Sequence, residues 1–135
     1  MNFKLIVQLS LFGLIMAFAT ISLIPETKEP IFWLVIFIFC AYVFAKVGTG
    51  RYFLHGFLTS IFNSVWITGA HLFFFSSYVA HHPDMAKMSD NMGYFSTHPR
   101  TLMAIMGLPF GAIFGIFLGL FCFVASLIVK PNTAK

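Results

Sequence analysis

Two histidines, three methionines and two aspartates fall within the twelve residues "HHPDMAKMSDNM", 81–92. Imidazole and thioether are borderline and soft ligands that together suit Cu(I). His81, His82, Met85 and Met88 are close enough in sequence to converge on one ion, and His71 and His98 can add nitrogen ligands. The same residues also form a good helix. Pro83 suits a first helical position, where its missing N–H costs nothing. Asp84 falls in the first turn, favourable to the dipole, and Gly93 offers a left-handed stop. His81, Met85, Met88 and Met92 then share one face, while Asp84, Lys87 and Asp90 share the other, where opposite charges pair weakly. Methionine at helical spacing is more often a packing face than a ligand set. The expectation is therefore a short amphipathic helix at about residues 83–92, lying in a membrane interface. Copper at His81, His82, Met85 and Met88 is the alternative, and no other cofactor is expected.

A second constellation lies upstream in "FLHGFLTSIFNSVWITGAHLFFF". At about 100° per residue, Ser60, Asn63, Ser64 and His71 fall on one arc, with Ile67 and Tyr78 beside them. Asn and His at lipid depth are costly unless they face protein or water. The stripe must point into a bundle, either to bridge helices by hydrogen bonds or to line a path for a small solute, a proton or an ion. No carboxylate lies within the apolar segments, which speaks against a coupled carrier. His55 and His71 sit on one helix and cannot face one iron from both sides, which speaks against a haem.

A third pattern closes the chain. Gly107, Gly111, Gly115 and Gly119 are each four apart in "GLPFGAIFGIFLG", a spacing that lets two helix backbones approach closely. Phe110, Phe114, Phe117 and Phe121 cover the opposite side. Pro109 removes one backbone bond and predicts a kink. The glycine face has two candidate partners: the third helix of the same chain, or a second copy.

The elements that must position these residues are set by composition. The chain has 135 residues, 59% hydrophobic and 9% charged, with 19 phenylalanines. That is far from the roughly 25% charged of a soluble domain. Four apolar runs, at about 5–24, 31–47, 53–80 and 101–129, each approach or exceed the roughly 20 residues that cross a bilayer. They lack the alternation of barrel strands. The first run resembles a signal peptide in "MNFK" and "AFA", but it continues through Ile24, which favours a retained helix. Lys4, Lys46, Arg51, Lys130 and Lys135 fall on one side with no acid. Lys28, Lys87 and Arg100 share the other with Glu26, Glu29, Asp84 and Asp90. By the positive-inside rule both termini are cytoplasmic, as in a bacterial inner-membrane protein. Cys40 and Cys122, inside the second and fourth runs, read as packing residues.

The fold class expected is thus all-α: one domain over residues 1–135, with four membrane helices and an interfacial helix in the third loop. No nucleophile–base pair, phosphate loop or paired carboxylate is present, so no enzyme is expected. The leading functional expectation is a non-catalytic membrane subunit that associates with itself or with a larger membrane complex through its glycine zipper. A small-solute or ion channel or transporter using the stripe is the first alternative, and an outer-face copper-binding protein the second. The partners expected are lipid and other membrane subunits, with no nucleic acid.

Overall fold

The computed structural model describes residues 1–48 and 50–130, and for residues 85, 86, 88, 89 and 95 the backbone alone. Among the described residues every regular element is helical: α1 (Phe3–Ser22), α2 (Glu29–Val47), α3 (Tyr52–Phe73), α4 (Phe75–His81), α5 (Pro83–Asp90) and α6 (Pro99–Ile128). A 3₁₀ turn at Gly93–Ser96 precedes α6. α1, α2 and α6 are long and apolar enough to cross a membrane. α3 and α4 pass the same test only together, and they are bent by 93° at their junction. The described residues thus hold three candidate spans, or four if the bent pair counts as one.

Local chemistry sets the boundaries. The Asn2 side chain accepts from Leu5 N at 3.1 Å and caps α1. α2 opens with Glu29 and Pro30 in its first turn and closes with Lys46 in its last, each suited to its end of the dipole. α5 begins at Pro83, as the sequence predicts, and is eight residues long. It ends at Asp90 rather than Met92, and Gly93 follows with φ +55°, the left-handed stop expected there. α6 runs unbroken through Pro109.

The third apolar run, expected as one helix over about 53–80, divides at Phe74 (φ −98°, ψ 31°). Ring stacking braces the corner. His71 lies on Tyr78 with centroids 4.1 Å apart, and Tyr78 lies on His82 at 4.1 Å. A sharp bend there turns α4 across the end of the bundle instead of prolonging α3.

α3 is the central helix, packed on α6 along one side and α1 along another. Its contact with α6 is made by small residues. A Cβ on Gly111 would fall on Ser64 Oγ, one on Gly107 on Thr68 Oγ1, and one on Gly56 2.6 Å from Leu118 O. One on Gly115 would lie 2.9 Å from Phe57, and one on Gly119 2.8 Å from Phe53. Ser60 Oγ donates across the seam to Gly111 O at 3.1 Å. The partner of the glycine row is therefore α3 of the same chain. At about 100° per residue a four-residue spacing advances the row by roughly 40° each step, so it wraps around α6. The phenylalanine row stays nearly straight. The two rows flank one another near Gly107 and become opposed only near Gly119, where the sequence reading had set them opposite throughout.

On the α1 side, Gly13 admits Asn63, whose Cβ would stand 2.8 Å from a Cβ there. Trp66 Nε1 donates to Ser10 Oγ at 3.2 Å. Asn2 N donates to His55 Nε2 at 3.0 Å, which places the His55 proton on Nδ1, donating to Arg51 O at 2.9 Å. At the end that carries Asn2 and Lys130, α1, α2 and α6 meet in one core of Ile6, Leu9, Phe37, Cys40, Ala41, Phe44, Leu118 and Cys122, with Leu58 and Phe62 of α3 packed against it. Both cysteines are free and buried there.

Candidate functional site

The opposite end, where the 74–98 segment crosses, is open inside. Every buried residue of α2 lies at Phe37 or beyond: Phe37, Cys40, Ala41, Phe44 and Ala45. The first two turns of α2 bury nothing. A cavity of about 790 Å³ lies beside them, bounded by α2, α3, α4 and α6. That is within the usual few hundred to 1,000 Å³ of a small-molecule site, and it is apolar with a few polar groups, as such sites are.

One wall is polar. Ser60, Asn63, Ser64, Ile67, Thr68 and His71 of α3 all line it, at spacings that repeat one helical face. The four stripe residues named from the sequence are thus brought together, and each is buried. The facing wall is aromatic. α2 supplies Trp33 and Phe37, and α6 supplies Phe110, Phe114, Phe117 and Phe121. Phe37 closes the far end, edge-on to Phe114 (6.3 Å) and Phe121 (6.1 Å) and continuous with the core.

Carboxylates stand at the other end. Glu26, Glu29 and Asp90 line the cavity, and among the described residues no lysine or arginine does. The nearby Arg100 guanidinium sits over the Phe75 ring at 5.2 Å. His82 Nδ1 faces Tyr78 O at 2.9 Å. A carbonyl only accepts, so Nδ1 carries the proton, and a second proton on Nε2 makes the ring cationic. Nε2 lies 3.7 Å from Glu29 Oε1, so the two form an ion pair when His82 is protonated. His71 Nε2 meets Thr20 Oγ1 at 3.0 Å.

The two histidines of the methionine–histidine set face different surroundings. His82 is 1% exposed and faces Glu29, whereas His81 is exposed with its Nδ1 on Ser77 O at 2.8 Å. The side chains of Met85 and Met88 lie outside the described residues, as does Lys135. His98 is exposed, stacked on Tyr94 and 2.8 Å from Thr97 Oγ1. Among the described residues no three of His, Cys, Asp and Glu gather as a metal site would require.

Sequence reasoning passed over Thr68, Glu29 and Trp33. Thr68 repeats the Ser60–Ser64 spacing and was reachable by the same periodicity. Glu29, Trp33 and Phe37 also stand four apart, but their carboxylate read as part of the loop; in the structure Glu29 is the first residue of α2. No family model, curated protein or solved structure matches the chain.

Proposed function

We propose that this is a membrane-embedded binding protein for a small amphipathic ligand. The observation that carries the reading is the cavity of about 790 Å³ with the α3 polar stripe on one wall and a phenylalanine wall opposite. A ligand's apolar body would lie along the rings, and its polar head would meet the stripe and the carboxylate end. The long apolar helices support membrane insertion. Lys4, Lys46, Arg51 and Lys130 lie at one end of the bundle and all four acids lie at the other. That asymmetry supports cytoplasmic termini and a cavity on the outer side. Because the cavity ends at Phe37 and the packed core, binding is favoured over free passage. Association through the glycine zipper is not favoured, since α3 already fills that face.

The test is equilibrium dialysis of the detergent-purified protein against labelled 4-phenylbutanol, a neutral amphiphile. Saturable binding is expected, and Ile67→Trp, which places an indole in the cavity, should abolish it. Binding that is unsaturable, or equal in the Ile67→Trp variant, would refute the reading.

A further inference from the structure

The cavity's charged side chains are of one sign, and this specifies its ligand further. A hydroxyl has a single hydrogen to donate. Ser60 donates its hydrogen to Gly111 O (3.1 Å), Ser64 to Ile61 O (2.8 Å) and Thr20 to Ala17 O (3.3 Å). These groups have spent their donors on backbone carbonyls and keep only lone pairs. Two buried side-chain atoms of the lining lack any partner, Glu26 Oε1 and Asn63 Oδ1, and both are acceptors. Asn63 Oδ1 lies toward Gly13 of α1, so the unpartnered acceptor left to a ligand is Glu26 Oε1. A buried acceptor without a donor is costly, and a carboxylate oxygen more so. The charged side chains of the lining, Glu26, Glu29 and Asp90, are all acids.

The apolar part of the cavity points the same way. Its rings include Trp33, Phe110, Phe114 and Phe117, and aromatic faces attract cations. An anionic head would meet three acids and several ring faces, with no lysine or arginine among the described lining residues to receive it.

Resting on the binding function proposed above, we infer that the ligand is an amphipathic amine, bound as its ammonium ion. The N–H donors of the ammonium satisfy Glu26 and the adjacent carboxylate of Glu29, and its hydrocarbon or aryl tail lies along the phenylalanine wall. An ammonium brings three donors and no acceptor, the complement of the two carboxylates.

The experiment compares three probes of matched length in the full chain in mild, non-ionic detergent: 4-phenylbutylamine, 4-phenylbutanol and 4-phenylbutyrate. The amine is expected to bind at least ~10-fold more tightly than the carboxylate, equivalent to about 1.4 kcal/mol. Glu26→Gln should remove most of that preference, and Glu26→Gln/Glu29→Gln should remove all of it. The single variant replaces a group that bonds to nothing, so a folding defect in the double variant would not obscure the result. Equal binding of the three probes, or a preference that survives Glu26→Gln, overturns the amine assignment and leaves the cavity's binding function standing. Binding of none of them overturns both.

Discussion

His82 and Glu29 join the two ends of the cavity's rim, with His82 Nε2 3.7 Å from Glu29 Oε1. His82 lies at the end of α4, and Glu29 is the first residue of α2. The contact ties down the one stretch of α2 that buries nothing of its own. Glu29 keeps a side chain 27% exposed, while that of His82 is 2% exposed, so the histidine carries most of the structural role.

Replacement of His82 by alanine should therefore destabilise the protein by roughly 1–3 kcal/mol, since a buried ring stacked on Tyr78 is lost. His81→Ala should stay within about 0.5 kcal/mol, as surface changes do. Unfolding titrations in mixed micelles compare the two. Equal effects would mean that the inward and outward assignments of the two rings are wrong.

Asn63→Leu should spare both stability and the preference for the amine. The two side chains have nearly the same shape, and Asn63 Oδ1 has no partner. Loss of an unsatisfied buried acceptor is neutral or stabilising by about 1 kcal/mol, while the preference for the amine probe over the carboxylate, which rests on Glu26 and Glu29, should be retained. A large loss of stability would instead place Asn63 in a bonded, structural role.

The seam between α3 and α6 predicts a hierarchy among its glycines. Gly56→Ala sets a methyl 2.6 Å from a backbone carbonyl, Leu118 O, that cannot turn aside. Gly115→Ala meets first the Phe57 ring at 2.9 Å, which can rotate. Overpacking costs roughly 1–3 kcal/mol, and Gly56→Ala should lie at the upper end with Gly115→Ala below it. Gly111→Leu and Gly115→Leu should lower the stability of the monomer. A shift from oligomer to monomer in native mass spectra, with stability unchanged, would assign the face to a second copy.

Cys40 and Cys122, both 0% exposed within the core, should resist maleimide in mild detergent and react fully only after denaturation. Rapid labelling of the folded protein would show that the terminus end of the bundle opens.

The α3 stripe was legible in the sequence because helical periodicity alone decides which residues share a face, and Ser60, Asn63, Ser64 and His71 obey it. The bend at Phe74 was not, since "HLFFFSSY" contains no proline or glycine to mark it. What braces it is the stacking of His71 on Tyr78 across the corner. The glycine spacing announced a close approach without naming its partner, because small residues fit any backbone equally well. The acidic end of the cavity depends on the 23–29 turn folding back beside α4, a long-range relation that no local pattern encodes. The histidine–methionine run is the converse case. Its ligand-like composition was plain, but the helical turn at the α4–α5 junction sends the two histidines to different surroundings.

The uneven burial of α2 has a mechanical consequence. The helix is clamped in the core at Cys40 and beyond and held at its start by the Glu29–His82 contact, so it is a lever with its fulcrum near mid-length. Glu29 lies eleven residues from Cys40, roughly 16 Å at about 1.5 Å per residue. A rigid tilt of about 10° at the fulcrum would swing the carboxylate end by about 3 Å, enough to widen the doorway by the thickness of an aromatic ring, while the atoms around Cys40 barely move.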